Sequence, residues 1–521
     1  MPRRLTRIAA IWLALPFAEA CQRADLQQEP GTDGDTDADS DADTDGDGDG
    51  DGDGDTDTGL EPCGGGTFDV APVEWALPQL PAVYTGSDPF PGFFLFSEHE
   101  LLSVAGDLDL DGAADLLVIW SKVDAQIGKE YWMLFPGGPA GFSGSASLLS
   151  LPPGPQALGA TPPWTDPWES PQSCPGNGYD YGSTIKDMDG DGRIDLLVTD
   201  ACDEGGVGTT HWLVHLGDGN GFADEPLIWA LPPAPEVLPG TCDEPYCVWQ
   251  LFSSSCTENT QRRFRHTLED MDGDGRPDLV FLDLCDAGGV GGDRFEVYLS
   301  TGTGFESEAT PFSFPLALAG DGEVLFEGTR ALKDLDGDRR ADIVIARGEE
   351  PAGLGIDFWL VYRNNGADFD PAIEWTLPPT PMGTAVFDFA NNGAACDGGG
   401  FYRYTLYWDI DLDGRLDLVV TEDCEVGGIG DDVWIAHLST GSGFDPVGIE
   451  WCLPPANPFQ GAADPFGNST SSFDECQGGR WAFRPLDLNG DGCIDLAVTD
   501  ACDTGGVGQT DWRAYLDPCD R

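Results

Sequence analysis

One acidic pattern, D-x-[DN]-x-D-x-x-x-D, occurs six times in the chain, and each copy runs directly into an apolar stretch. The copies are DLDLDGAADLLV from Asp107, DMDGDGRIDLLV from Asp187, DMDGDGRPDLVF from Asp270, DLDGDRRADIVI from Asp334, DIDLDGRLDLVV from Asp409 and DLNGDGCIDLAV from Asp487. They start 80, 83, 64, 75 and 78 residues apart. A repeat at this period means like units that cannot bury their own apolar faces and must stack on neighbours. Flanking text repeats in phase. Upstream lie VEWALP at Val73, LIWALPP at Leu227, IEWTLPP at Ile373 and IEWCLPP at Ile449. Downstream lie CDEGGVG at Cys202, CDAGGVG at Cys285, CEVGGIG at Cys424 and CDTGGVG at Cys502, followed by alternating segments such as HWLVHL and VWIAHL.

Each unit therefore reads as four short strands: x-x-W-x-L-P, an aromatic stretch before the acidic loop, D-L-V-V after it, and W-x-x-x-L. Alternation and β-branched residues favour strands, while 71 Gly and 40 Pro in 521 residues leave no room for long helices. Repeated four-stranded sheets set radially make a β-propeller. The sequence predicts an all-β fold, a single propeller over residues 63–521, with units at about 65–141, 142–222, 223–305, 306–369, 370–444 and 445–519. Six blades are expected, and a concealed seventh is the alternative.

The acidic loops predict calcium. Carboxylates two residues apart repel unless a cation sits among them, and a hard cation takes six to eight oxygens at about 2.3–2.6 Å. The first, third, fifth and ninth positions supply the candidate ligands. These are Asp107, Asp109, Asp111 and Asp115; Asp187, Asp189, Asp191 and Asp195; Asp270, Asp272, Asp274 and Asp278. The later loops supply Asp334, Asp336, Asp338 and Asp342; Asp409, Asp411, Asp413 and Asp417; and Asp487, Asn489, Asp491 and Asp495. Up to six Ca²⁺ ions are expected. Glycine at the sixth position permits the sharp turn, and the fourth loop departs from this with Arg339. Zinc is disfavoured because the acidic positions hold neither His nor thiolate. An EF-hand is excluded, because it needs Glu at the twelfth position and a helix after the loop, where this chain has Val198 and Val420 in strand-forming runs.

The D-x-D-x-D-G-x-x-D-L-V unit resembles the FG-GAP/VCBS repeat of integrin α-subunit propellers and of many secreted bacterial proteins, over nearly all of residues 65–519. The resemblance implies a calcium-stabilised propeller that recognises ligands, and leaves the ligand open.

The N-terminus reads as an export signal over residues 1–20. Arg3, Arg4 and Arg7 precede an apolar run from Ile8 to Ala18, and Ala18-Glu19-Ala20 fits a cleavage site before Cys21. This segment also resembles a bacterial lipobox, which implies lipidation of Cys21; ordinary secretion is the alternative. Residues 21–62 read as a disordered tether, with Asp at every odd position from Asp33 to Asp57. The expected location is the cell surface, either anchored in the outer membrane or extracellular, with membrane contact only through the lipid. The formal net charge of −68 argues against nucleic acid as a partner.

An exported chain with 15 cysteines predicts disulfides. Four units place one Cys 15 residues after the first loop Asp and another 11 to 14 residues before it. This predicts Cys174–Cys202, Cys256–Cys285, Cys396–Cys424 and Cys476–Cys502. Cys63–Cys519 would tie the last blade to the first, and Cys242–Cys247 and Cys452–Cys493 complete the set.

No Walker loop, H-E-x-x-H or G-x-S-x-G stands out, so no catalytic residue is expected. The expected function is a cell-surface recognition or adhesion module whose ligand is a protein or glycan. A lectin with sugar sites between blades and a polysaccharide-degrading enzyme are the alternatives. Aromatics in the long connections opposite the acidic loops, including Trp164, Trp168, Tyr179, Tyr246, Trp249, Phe387, Phe389, Phe459, Phe466 and Phe473, are candidate ligand contacts.

Overall fold

In the computed structural model, hydrogen-bonded antiparallel strands form six separate sheets, the six blades of a β-propeller. The structure describes residues 68–69, 71–78, 101–108, 111–121, 126–153, 172–173, 180–201, 206–208, 210–232, 265–283, 290, 294–313, 330–346, 353–379, 393–395, 402–411, 413–423, 429, 432–454, 481–501, 507 and 510–517. Strand β1 (Val73–Ala76) comes first among the described residues. Blade 1 is β2 (Leu101–Gly106), β3 (Asp115–Ser121), β4 (Tyr131–Phe135) and β5 (Ser147–Ser150). Blade 2 is β6 (Gln172–Ser173), β7 (Asp180–Lys186), β8 (Asp195–Ala201), β9 (His211–His215) and β10 (Leu227–Ala230). Blade 3 is β11 (Arg265–Glu269), β12 (Asp278–Asp283), β13 (Arg294–Tyr298) and β14 (Thr310–Ser313). Blade 4 is β15 (Arg330–Lys333), β16 (Asp342–Ile345), β17 (Phe358–Tyr362) and β18 (Ile373–Thr376). Blade 5 is β19 (Gly393–Ala395), β20 (Tyr402–Trp408), β21 (Asp417–Asp423), β22 (Val433–His437) and β23 (Ile449–Cys452). Blade 6 is β24 (Trp481–Leu486), β25 (Asp495–Ala501) and β26 (Asp511–Tyr515), completed by β1.

The strand phase differs from that expected of the sequence unit. Each x-x-W-x-L-P strand belongs to the blade before it, where it pairs with the preceding W-x-x-x-L strand. The register sets Trp229 opposite Trp212, Trp375 opposite Trp359 and Trp451 opposite Trp434. The cause is connection length: short Gly-rich turns join those two strands, and short connections make antiparallel neighbours. The ring closes by the same rule run across the termini, with Trp75 of β1 opposite Trp512 of β26. Blades 2 and 5 also gain a short fifth strand, β6 and β19, from the connections expected to be loops.

Most of the core lies between blades. The strand after each acidic loop is an interior strand of its sheet and is buried on both faces, as in the BBBB pattern of β16. The next strand alternates, and the fourth buries only its central aromatic or apolar residue. One cluster joins Trp132 and Leu149 of blade 1 to Leu196, Val207 and Phe222 of blade 2, and the other clusters repeat this arrangement. The phenylalanine ending each Gly-rich turn reaches back to the neighbouring blade. Phe222 meets Trp132 edge-on at 5.3 Å, Phe305 meets Trp212 at 5.7 Å and Phe444 meets Trp359 at 5.4 Å. Such edge-to-face pairs contribute roughly 0.5–1.5 kcal/mol each beyond the area they bury. The GGVG-type segments supply a second plug: Ile127, Val207, Val290, Leu354 and Val507 are buried in the inter-blade clusters. Trp229, Trp375 and Trp434 are buried in these inter-blade clusters. Among the described residues no helix is long and apolar enough to cross a membrane.

Candidate metal centre

Each acidic loop is the turn between the first and second strands of a full blade, so strand pairing fixes both of its ends. The ninth-position Asp opens the second strand and is fully buried in Asp115, Asp195, Asp278, Asp342, Asp417 and Asp495. Its two oxygens accept two backbone amides. One comes from the second position of its own loop: Leu108, Met188, Met271, Leu335, Ile410 and Leu488 donate to Oδ2 at 2.8–3.3 Å. The other comes from 22 residues further on, at the Gly-rich turn, where Gly137, Gly217, Ser300, Asn364, Ser439 and Asp517 donate to Oδ1 at 2.7–2.9 Å. This staple was not read from the sequence, although its constant spacing across all six blades is a signal that was there to be found. It also places acidic loops and Gly-rich turns on one face of the ring.

The first-position Asp is cradled in the same way. Asp187 accepts the amides of Gly190 and Gly192 at 2.8 Å, and Asp270, Asp334 and Asp487 repeat the pair. Glycine at the sixth position takes the left-handed backbone this requires, with φ of 89° at Gly192 and 86° at Gly275. Arg339 takes it too, at φ 71°, and its amide reaches Asp334 at 2.8 Å. The departure at Arg339 therefore leaves the loop geometry intact.

Four loops bring three carboxylates together: Asp187, Asp189 and Asp195; Asp270, Asp272 and Asp278; Asp334, Asp336 and Asp342; and Asp409, Asp411 and Asp417. In each, one oxygen per residue lies within 4.8 Å of the others. That suits a common ion, since ligands on opposite sides of calcium stand about 4.6–5.2 Å apart. The donor set is all oxygen, as a hard cation requires. In the fourth loop, Oδ1 of Asp336 is buried without a hydrogen-bond donor, while Oδ2 pairs with Arg363 at 3.4 Å. A lone pair so placed fits a cation. These four triads could hold metal ions such as Ca²⁺.

The fifth position is not part of the triads. Asp191, Asp274, Asp338 and Asp413 each accept the amide of the seventh residue and pair with its guanidinium, from Arg193, Arg276, Arg340 and Arg415. In the sixth loop Asn489 donates to Asp491 at 3.0 Å, while Asp487 and Asp495 keep their places. In the first loop Asp107, Asp111 and Asp115 make the equivalent backbone bonds, and Asp109 lies outside the described residues.

Without an ion, burial and neighbouring carboxylates raise the pKa values of first- and ninth-position carboxyls. Desolvation pushes Asp195, Asp278, Asp417 and Asp495 up to about 7 and Asp342 up to about 8, with neighbouring loop carboxylates adding to the rise. Asp334 rises to about 6, and Asp187, Asp270, Asp409 and Asp487 also rise, chiefly from burial.

His215 and His437 are buried and structural, each bonded through Nδ1 to a backbone oxygen, of Ala223 and Asp445. Cys452 and Cys493 are both disulfide-bonded. Cys21, Cys63, Cys174, Cys202, Cys242, Cys247, Cys256, Cys285, Cys396, Cys424, Cys476, Cys502 and Cys519 lie outside the described residues. So do the export signal, the tether and the ten loop aromatics named above.

Compared with known proteins, the chain matches no family description and no curated protein sequence. Among solved structures it is similar to a Tc holotoxin pore of Photorhabdus luminescens, at TM-score 0.42 and 14% identity, covering 86% of this chain and 15% of that one. It is also similar to an Agrocybe aegerita lectin that recognises non-reducing terminal N-acetylglucosamine (TM-score 0.37, 15% identity, 80% of this chain and 81% of that one). A third is a Penicillium chrysogenum α-L-arabinanase (TM-score 0.32, 12% identity, 82% and 97%). Similarity at this level assigns neither ligand nor activity.

Proposed function

We propose that this chain is a calcium-binding propeller of the FG-GAP/VCBS kind, exported, held at the cell surface through Cys21 and its acidic tether, and acting as a recognition or adhesion module without catalysis. The observation that carries the calcium reading is the convergence of Asp triads on buried, backbone-stapled turns that recur blade after blade. A bound ion would neutralise carboxylates that burial otherwise forces to hold protons, and would lock each first-to-second strand turn to its Gly-rich turn. The first, third and ninth residues would hold it. The chemistry it supplies is charge compensation.

The recognition reading is supported by economy of place. The acidic loops and Gly-rich turns occupy one face, which leaves the long connections of the other face to meet a protein or glycan. The test has two stages. Bound calcium is counted on the purified chain, and melting is compared with calcium and with chelator. Metal that binds only the folded state stabilises it by about 2.7 kcal/mol per site at a hundredfold excess over Kd. An ion-free protein with one melting curve under both conditions ends the calcium reading. A glycan and surface-protein screen, run with and without calcium and scored for binding and for product release, then tests recognition. Product release ends the non-catalytic reading.

A further inference from the structure

Blade 4 differs from the others at one buried position. The residue 22 beyond the ninth loop position is Gly137, Gly217, Ser300, Ser439 or Asp517 in the other blades and Asn364 here. Asn364 is 1% exposed, and the polar groups of its amide and backbone N–H are engaged. Its backbone N–H donates to Asp342 at 2.8 Å, and its Oδ1 accepts the Gly366 amide at 2.8 Å. Its Nδ2 donates to the carbonyl of Met271 at 2.8 Å and to that of Ala341 at 3.2 Å.

Met271 belongs to the neighbouring blade. It is the second residue of the loop beginning at Asp270, its peptide links the candidate ligands Asp270 and Asp272, and its amide donates to Asp278 at 2.9 Å. The Ala341 amide makes the return connection, donating to the Asp270 carbonyl at 3.0 Å. Asn364 thus sits in a closed circuit of hydrogen bonds joining two triads. In that buried setting a donor left without its acceptor is destabilising, so a shift of one loop is resisted by the other.

We propose that the loops beginning at Asp270 and Asp334 take up metal as a coupled pair, with Asn364 as the positioning residue that links them. This rests on the reading of the loops as metal sites. An ion that fixes Asp342 holds Asn364 in place, and Asn364 holds the Met271 peptide between two ligands of the next site. The loop beginning at Asp187 is joined to its neighbour differently: Lys186, which precedes it, donates from Nζ to the Leu268 carbonyl at 2.7 Å, with no asparagine bridge among the described residues.

Native mass spectrometry of the full chain, counting calcium ions across a titration, tests this. Near half-saturation, Asp336→Asn should lower the mean count by about twice as much as Asp189→Asn. Adding Asn364→Ser, the residue type already used at Ser300 and Ser439, should bring the loss in the Asp336→Asn background back to that of a single site. Equal losses for Asp336→Asn and Asp189→Asn overturn the coupling, and an undiminished double loss with Asn364→Ser overturns the role of Asn364. A wild-type chain that carries no ion at any calcium concentration ends the metal reading and this inference with it, an outcome distinct from the other two.

Discussion

Phe68 packs edge-on against Trp434, with ring centroids 5.9 Å apart and planes at 86°. A residue that precedes β1 thereby fills, in blade 6, the slot that Phe142, Phe222, Phe305, Phe369 and Phe444 fill elsewhere. Blade 6 obtains its phenylalanine from the other end of the sequence because its Gly-rich turn is where the ring is cut. The Phe68 amide also donates to the Cys452 carbonyl at 3.2 Å, and that of Asp69 to the Leu516 carbonyl at 2.8 Å. Phe68→Ala should therefore cost what an interior phenylalanine costs, roughly 3–5 kcal/mol. Urea unfolding beside Phe222→Ala checks this. A loss below about 1 kcal/mol would mean that the seam closes without Phe68.

The ninth and fifth loop positions should behave differently when changed to Asn. Both oxygens of Asp195 accept amides, so Asp195→Asn sets an NH₂ group against an N–H donor in a buried site. That should cost about 1–3 kcal/mol even in chelator, and remove one bound ion as well. Asp191 is partly exposed and pairs with Arg193 at the surface. Asp191→Asn should cost at most about 1 kcal/mol and leave the ion count unchanged. Calcium counting and melting on both variants separate the positions, and a lost ion in Asp191→Asn would restore the fifth residue to the ligand set.

Arg339 holds a left-handed backbone that glycine takes freely at the same position in the other described loops. That conformation costs an L-residue roughly 1–2 kcal/mol, partly offset by the flexibility glycine brings to the unfolded chain. Arg339→Gly should raise stability by about 0.5–1 kcal/mol, equally with calcium and with chelator, because the Arg339 amide already reaches Asp334. A gain confined to the calcium-loaded protein would place the effect on metal binding instead.

The sequence made the fold legible because all six units carry the same acidic loop and the same apolar run after it, and a motif in phase with itself leaves few architectures. What it could not show was where one blade ends. A cyclic text reads the same from any starting strand, and the assignment of Trp229 to the blade of Trp212 depends on hydrogen bonding across a short turn. The triads were legible for the related reason that Asp187, Asp189 and Asp195 share one local turn. The pairing at the fifth position was not legible, because the arginine that pairs with Asp191 looks like ordinary loop polarity in a sequence. Asn364 was invisible for a different reason: its partners Met271 and Ala341 come together only when adjacent blades pack.

Protonation gives the last prediction its sign. Burial raises Asp195, Asp278, Asp417 and Asp495 to about 7, and Asp342 to about 8, from an unfolded value near 3.8. Between those limits the metal-free folded chain holds protons that the unfolded chain has released. Its stability is therefore fullest below about pH 4 as far as these groups are concerned, and is lost progressively as pH rises through 7 to 8. Bound calcium would reverse the dependence, since the ion would replace those protons and bind more tightly as they leave. In chelator, melting temperature should fall from pH 5 to pH 8, while the gap between calcium-loaded and chelated protein widens over the same range. Calcium added near pH 6.5 should release protons, seen calorimetrically as a binding heat that changes with the ionisation enthalpy of the buffer. A chelated protein that grows more stable from pH 5 to pH 8, with no proton release on calcium addition, would show that the ninth-position carboxyls are already ionised without an ion.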